Sequence, residues 1–351
     1  MNQQIAEIAH TVLAGGDIQR PEAEILARTG GADVYDLLYW ANRIRIERCG
    51  PAVSLCSIAA LTAGGCTEDC AFCAQSARHR AEARQRQALD DDQVLSAAQQ
   101  AAENGAEWFG LVTSGCRPTA SLLERVTELA RKLRRRVAVR LCAALGGIDG
   151  KQARALGEAG IDRYNHNLET SAGFFPNIVT THTYSERLQT VEAVSEAGLS
   201  ICSGGIFGVG ESWTDRLDMA FALRDCRPDV VPLNFLHPIA GTPLAQAPPV
   251  PPMEILQIIA VFRFLFPAVR IKVAGGREAN LRDLQSWMFF AGASSTLIGN
   301  YLTTAGRPAR EDHQMLRDLG LLAGRSDAPN ADAPNAVDAS VTPQVRKQPA
   351  R

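Results

Sequence analysis

The sequence predicts an α/β fold, a TIM-like (β/α)8 barrel or a partial version of one, preceded by an N-terminal helical extension. Two observations predict it. After Pro51, short apolar runs alternate about eight times with helical patterns, which is typical of strands that pair in parallel. In addition, 46% of the 351 residues are hydrophobic, which is enough for a sizeable core.

The predicted strands follow one another from residue 55 to residue 299. They are LCSIAAL (55–61), WFGLVTS (108–114), VAVRLCAA (137–144), RYNHNLE (163–169), LSICSGGI (199–206), VVPLNFL (230–236), VRIKVAGG (269–276) and SSTLIG (294–299). Helical patterns lie between them, and the clearest are 91–105, 121–133, 185–198 and 252–265. Helical spacing of apolar residues also marks the first 50 residues.

The chain is predicted to have three parts. Residues 1–50 form the helical extension, residues 51–322 the barrel domain, and residues 323–351 a tail. The tail is rich in Ala, Pro, Asp and Asn and has almost no large apolar side chains, so it is predicted to be disordered.

Charge and hydropathy exclude several classes of partner. The formal net charge of −2 gives no reason to expect nucleic acid or a membrane surface. No apolar run reaches the roughly 18 residues of a membrane span, and Arg263 interrupts the longest one, at 258–269. Residues 1–20 lack the apolar region of a signal peptide. We therefore expect a cytoplasmic protein, in which the nine cysteines are unsuited to a disulfide framework.

Three cysteines, Cys66, Cys70 and Cys73, lie within eight residues after the first predicted strand. Thiolates this close in sequence can hold one metal centre. A closed zinc site takes four ligands, and the nearest candidate for the fourth is His79. A four-iron cluster can take three protein thiolates and leave one iron open. The spacing favours the cluster, with structural zinc as the alternative.

The spacing Cys-x-x-x-Cys-x-aromatic-Cys, with Phe72 before the last cysteine, resembles the signature of radical S-adenosylmethionine (SAM) enzymes. The run CTEDCAFCAQSARH further resembles the biotin synthase family. The likeness continues through NHNLETS (165–171), ICSGGIFGVGE (201–211), NFLHPIAGTPL (234–244) and AGGREANLRDLQ (274–285). WFGLVTSG and LIGNYLTT are closer to the family's variants from anaerobic bacteria.

This resemblance implies a 4Fe-4S cluster, bound SAM and a sulfurtransferase activity. Such an enzyme converts dethiobiotin to biotin by sulfur insertion, through a 5′-deoxyadenosyl radical. It also implies a flavodoxin or ferredoxin as electron donor, and a homodimer. The alternative is a related radical SAM enzyme that inserts no sulfur, such as a mutase or a cofactor-maturation enzyme.

The predicted strand at 163–169 has one polar face, because side chains alternate along a strand. Its odd-numbered residues are Arg163, Asn165, Asn167 and Glu169. Polar side chains that faced the outer helices instead would be buried without partners. We therefore expect this face to line a polar substrate cavity, and the even-numbered residues, His166 among them, to pack against the outer helices.

The resemblance assigns roles to several of these positions. Asn165 and Asn167 match contacts to dethiobiotin and SAM, Glu169 matches the carboxylate that holds the SAM ribose, and Asn234 matches a further substrate contact. Gly204 and Gly205 match the segment that seats the adenosyl part of SAM. No side chain is assigned as a catalytic acid, base or nucleophile.

An auxiliary cluster, 2Fe-2S or of another type, is also implied by the resemblance. In the family's aerobic type it has three cysteines and an arginine as ligands. Cys142 and Cys202 match two of the cysteines, but the third position is Gly110 and the arginine position is Lys272. Glycine has no side chain to bind iron, and lysine is usually protonated. Three other cysteines are interpreted as structural: Cys49, Cys56 and Cys226.

Overall fold

The computed structural model describes residues 1–81, 88–301 and 306–324. Three helices come first: α1 (Gln3–Leu13), α2 (Arg20–Ala27) and α3 (Asp33–Cys49). The amide oxygen of Asn2 accepts a hydrogen bond from the backbone N–H of Ile5 and so caps α1. The expected N-terminal helical extension is confirmed.

The rest of the described chain is built on parallel strands. They are β1 (Ala52–Ala60), β2 (Trp108–Val112), β3 (Arg140–Ala144), β4 (Arg163–Asn165), β5 (Ser200–Cys202), β6 (Gly205–Phe207), β7 (Val230–Phe235), β8 (Arg270–Val273), β9 (Ser295–Leu297) and β10 (Leu322–Ala323). Each of the eight predicted runs overlaps at least one of these strands.

Pairing between the first and last strands closes the barrel. The order is β1-β2-β3-β4-β5-β7-β8-β9, with β9 paired to β1. The short strand β6 follows β5 after two residues and pairs with β7. An eight-stranded parallel barrel is therefore formed, as the sequence predicts. Strand β10 lies outside it and pairs with the start of β1, where Ala323 is opposite Val53. Residues 325–351 of the predicted tail lie outside the described residues.

Helices surround the barrel. They are α4 (Asp91–Glu103), α5 (Ala120–Arg136), α6 (Gly150–Glu158), α7 (Tyr184–Glu196), α8 (Trp213–Cys226), α9 (Pro252–Leu265), α10 (Arg277–Leu281), α11 (Trp287–Phe290) and α12 (Ala309–Asp318). Side-chain caps start five of them, at Asp90, Thr119, Asp149, Thr183 and Ser212. Asp, Ser and Thr are among the residues preferred at this position, because their side-chain oxygens accept hydrogen bonds from the free N–H groups of the first turn.

Helix α9 contains the apolar run that Arg263 interrupts. It packs between the barrel and the N-terminal helices α2 and α3, which explains why it is apolar on all sides. Arg263 is fully buried, and its guanidinium donates to the carbonyls of Gly292 and Val269, each at 2.8 Å. No helix within the described ranges is long and apolar enough to cross a membrane.

The connection between β5 and β6 shows how tightly the backbone is packed near the barrel mouth. A Cβ atom on Gly204 would lie 2.0 Å from the carbonyl oxygen of Pro232, in the neighbouring strand β7. A Cβ atom on Gly205 would lie 2.5 Å from the carbonyl oxygen of Glu169. Both glycines are therefore required by close approach of neighbouring backbone.

Substitution Gly204→Ala is expected to lower the free energy of unfolding. Overpacking typically costs roughly 1–3 kcal/mol, and a clash with strand backbone belongs at the upper end. Urea unfolding followed by circular dichroism measures it. Gly173→Ala is the matched control, because its Cβ would meet no heavy atom within 4 Å. Equal unfolding midpoints for the two variants would contradict the packing argument.

Candidate active site

The three clustered cysteines lie on a loop that follows β1, at the end of the barrel where (β/α)8 enzymes have their active sites. Backbone hydrogen bonds close this loop: the N–H of Cys66 donates to the carbonyl of Gln75 at 3.1 Å, and the N–H of Cys73 to that of Cys70 at 2.9 Å. The three thiols line one cavity of about 300 Å³, which we call the cluster cavity.

The loop is fastened to the segment that precedes α7. The carboxylate of Asp69 accepts hydrogen bonds from the backbone and hydroxyl groups of Thr180 and Thr181. The carboxylate of Glu68 contacts the ring of His182 and accepts from the hydroxyl of Thr181. Acidic residues between the cysteines therefore hold the loop in place, rather than pointing at the thiols.

The environment of the thiols decides how they can bind a metal. Burial raises the pKa of the Cys70 thiol to about 12, although the nearby Arg187 lowers it. Burial raises the pKa of Cys73 as well. Metal binding at these two positions must therefore release protons.

The zinc alternative finds no prepared site. The ring of His79 lies 3.0 Å from the backbone carbonyl of Cys70, to which it is hydrogen-bonded. Within the described ranges, no group of three or more His, Cys, Asp or Glu side chains, the three thiols included, is already arranged to hold a metal ion. The three thiols nevertheless line one cavity, and His79, the expected fourth zinc ligand, is not among the residues that line it, which fits a four-iron cluster with an open iron.

Asn165, Asn167 and Glu169 all line the cluster cavity, although only Asn165 belongs to β4. Glu169 has a left-handed backbone (φ 70°) and lies 3.6 Å from the guanidinium of Arg187. Burial raises the pKa of the Glu169 carboxyl, although Arg187 lowers it. Arg187 also donates to the carbonyl of Asn167 at 2.9 Å, while its Nε has no partner among the described residues.

Arg187 was missed by the sequence reasoning, which placed no functional residue on this helix. It lies in α7 and lines the cluster cavity, but the helical pattern of the sequence does not show which charged side chains face the barrel. The expectation for His166 is wrong. Its side chain lines the cluster cavity instead of packing outside, because β4 ends at Asn165 and the alternation ends with it.

A second cavity, of about 240 Å³, lies between the strands and is called the inner cavity. It shares Asn165 and Asn167 with the cluster cavity, so the two cavities adjoin at these residues. A third cavity of about 300 Å³ shares Asn167 with both. Asn234 lines the inner and third cavities, and its amide is already used: Nδ2 donates to the carbonyl of Gly205 and Oδ1 accepts from the N–H of Gly275.

The predicted residues of the auxiliary site come together at the inner cavity. Cys142 and Lys272 line it, and the Nζ of Lys272 lies 3.4 Å from the sulfur of Cys202. Gly110 pairs with Cys142 across the sheet, and a Cβ atom there would lie 3.1 Å from the side chain of Ile58. The missing thiol position is therefore partly filled by Ile58.

Cys56, which the sequence analysis interprets as structural, lines the inner cavity, and its sulfur lies 3.6 Å from the guanidinium of Arg163. It sits on β1, beside β2, where it pairs with Trp108, two residues before Gly110. A cysteine facing inward on the strand adjacent to Gly110 was the signal available in the sequence.

Gly204 and Gly205 lie in the connection between β5 and β6, where close packing already accounts for them. The next residue, Ile206, lines the third cavity. A role for the two glycines in seating SAM stays a prediction.

The fold and the cysteine loop match known proteins. Residues 61–223 match the model of the radical SAM superfamily, and residues 232–322 match the Biotin and Thiamin Synthesis associated domain. Among solved structures, methylornithine synthase superimposes with a TM-score of 0.80, at 18% identity over 91% of this chain and 97% of that one. The FeFe-hydrogenase maturase from Carboxydothermus hydrogenoformans gives a TM-score of 0.79, at 18% identity over 94% and 81%. The barrel and its cysteine loop thus define a radical SAM enzyme.

Relatives that are similar in sequence define the family more narrowly. A biotin synthase from Geotalea daltonii is 48% identical over 92% of this chain and 98% of its own length. Another, from Geobacter sulfurreducens, is 49% identical over 90% and 96%. The chain belongs to the biotin synthase family. Membership implies a 4Fe-4S cluster and SAM, and the loop described above has the donor set for that cluster.

Substitution Asp69→Ala is expected to speed the loss of iron from the reconstituted protein several-fold, because it removes the bonds that fasten the cysteine loop. Transfer of iron to a coloured chelator measures the rate. Asp149→Ala is the matched control, since it also removes a carboxylate that accepts a backbone N–H, but at the start of α6. If both variants release iron at the wild-type rate, Asp69 does not secure the loop.

Proposed function

We propose that this chain converts dethiobiotin to biotin by sulfur insertion. The observation that carries the proposal is that two adjoining cavities lie inside one barrel. One cavity has the three-thiol loop. The other is lined by two further thiols, Cys56 and Cys142, and by two cations, and the sulfur of a third thiol, Cys202, lies 3.4 Å from the Nζ of Lys272. Asn165 and Asn167 lie where the cavities meet, so a small molecule held there can face both centres.

In the cluster cavity, Glu169 and Arg187 are the charged groups suited to SAM. When bound, the 4Fe-4S cluster supplies the electron that splits SAM into methionine and a 5′-deoxyadenosyl radical. The unpaired Nε of Arg187 can donate to a carboxylate, and the carboxylate of Glu169 can accept from ribose hydroxyls. The closed barrel keeps water away from the radical.

Substrate is held by amides rather than by charges. The Nδ2 of Asn165 donates to the carbonyl of Cys202 at 3.1 Å, which fixes the direction of its amide. Asn167 reaches all three cavities. Amides offer both donors and acceptors, which the ureido ring of dethiobiotin requires. Asn234 retains one donor and one acceptor site for the same ring.

An auxiliary iron–sulfur cluster in the inner cavity is proposed as the sulfur source, with Cys56, Cys142 and Cys202 as its thiolate ligands. Thiols lie beside both buried cations: the sulfur of Cys56 is 3.6 Å from the guanidinium of Arg163, and the sulfur of Cys202 is 3.4 Å from the Nζ of Lys272. Burial raises the pKa of Cys142, although both cations lower it. Buried cations need an anionic partner, and a cluster bound by thiolates supplies one.

Lys272 was predicted as a ligand of this cluster, and we now assign it a different role. Burial alone lowers the pKa of Lys272, but the thiols of Cys202 and Cys56 outweigh it and raise the pKa above its usual value. A protonated ammonium has no lone pair for iron. We propose that Lys272 donates hydrogen bonds to cluster sulfur. The electron donor is expected to be a flavodoxin or a ferredoxin, and the homodimer stays a prediction.

The function is tested by anaerobic reaction of reconstituted protein with dethiobiotin, SAM and a strong reductant. Formation of both biotin and 5′-deoxyadenosine is the expected result. 5′-Deoxyadenosine without biotin would favour a relative that inserts no sulfur. Zinc in place of iron, or uncleaved SAM, would contradict radical SAM chemistry altogether.

Substitution Cys56→Ala is expected to abolish biotin formation while SAM cleavage continues, because it removes one ligand of the sulfur source only. Iron and sulfide per chain should fall toward the content of one four-iron cluster. Cys226→Ala, which changes a partly buried cysteine on α8, should leave both contents at the wild-type values. Wild-type biotin formation by Cys56→Ala would show that Cys56 is not a ligand.

A further inference from the structure

The inner cavity contains an aromatic residue that the proposed reaction does not use. Trp108 is 2% exposed, and its ring lines the cavity beside Cys56, its partner across the sheet. Its indole Nε1 has no hydrogen-bond partner among the described residues. A buried indole N–H usually has a hydrogen-bond partner, so another interaction must account for the position of Trp108.

The closest contact of Trp108 explains it. The guanidinium carbon of Arg163 lies over the ring at 3.6 Å from its centre, and that of Arg140 at 4.3 Å. Arg163 is itself 2% exposed, and its Nε has no partner among the described residues. The groups with which it interacts most strongly are thiols. Because thiols are weak acceptors, they do not fix the direction of a guanidinium, whereas an aromatic face does.

We propose that Trp108 is a positioning residue, which holds the guanidinium of Arg163 against the sulfur of Cys56 and so places a fixed positive charge beside the auxiliary cluster. The inference rests on the proposed function, since it requires that cluster. The charge has a measurable consequence. One-electron reduction adds negative charge to an iron–sulfur cluster, and a nearby cation stabilises the reduced state and raises the midpoint potential.

The test is a redox titration of the anaerobically reconstituted holoenzyme, followed by electron paramagnetic resonance. The signal of the auxiliary cluster is identified by its loss in the triple variant C56A/C142A/C202A. Trp108→Leu should shift its midpoint potential to a more negative value, because Arg163 is no longer held. Trp108→Phe keeps an aromatic face and should restore a potential near that of the wild type.

Two further variants separate positioning from general damage to the barrel. Arg163→Met should reproduce the shift of Trp108→Leu, and the double variant should show no additional shift, because both changes remove the same charge. Trp213→Leu is the matched control. It removes a ring that stacks on Arg216 outside the barrel, at 4.9 Å, and should leave the potential unchanged. If the Trp108→Leu variant does not assemble the auxiliary cluster, the Trp108→Met variant is titrated in its place.

The outcomes are distinguishable. An unchanged potential in Trp108→Leu, or additive shifts in the double variant, would overturn the role of Trp108 and leave the proposed function standing. Failure of Trp108→Phe to restore the potential would also overturn it, because the aromatic face would then not be the feature that matters. A wild type with no more iron than the triple variant would overturn the auxiliary cluster, and this inference with it.

Discussion

Two positive charges are buried in the centre of the barrel, and thiols lie beside both of them. Arg163 extends from β4 to within 3.6 Å of the sulfur of Cys56, and Lys272 from β8 to within 3.4 Å of the sulfur of Cys202. Burying a cation is costly unless an anion accompanies it. An ordinary (β/α)8 barrel avoids the problem by filling its interior with branched apolar side chains. Here the interior is a cavity, and the anion that we propose for it is an auxiliary iron–sulfur cluster.

The rest of the site follows from this interior. Strand β4, which carries Arg163, also carries Asn165 at its end, and Asn167 follows it, so the proposed substrate contacts and the inner cavity are built from the same barrel wall. The cysteine loop closes the mouth above them, fastened through Glu68 and Asp69 to the segment before α7. In the proposed reaction, a radical generated under this loop would reach a substrate held at Asn165 and Asn167, where the two cavities adjoin.

Much of the architecture could be predicted from the sequence, because alternation of short apolar runs with capped helices leaves few topologies open. The Cys66, Cys70 and Cys73 loop could be predicted from local spacing alone. Contacts across the barrel could not. Cys56 looked structural because its strand partner Trp108 lies more than 50 residues away, and only the strand register places Cys56 opposite Trp108, which precedes Gly110 by two residues. The position of Arg187 could not be predicted for a similar reason, because a helical pattern does not show which charged side chain faces the cavity. His166 was misplaced because β4 is only three residues long, too short for alternation to extend to it.

The central claim, that the inner cavity holds the sulfur that enters the product, is tested most directly by isotope labelling. The protein is reconstituted with iron and heavy-isotope sulfide, freed of unbound sulfide, and allowed a single turnover with dethiobiotin and SAM. Mass spectrometry of the biotin should then show the heavy isotope, at a level that follows the auxiliary cluster content. Biotin that contains only light sulfur would place the sulfur source elsewhere and contradict the account.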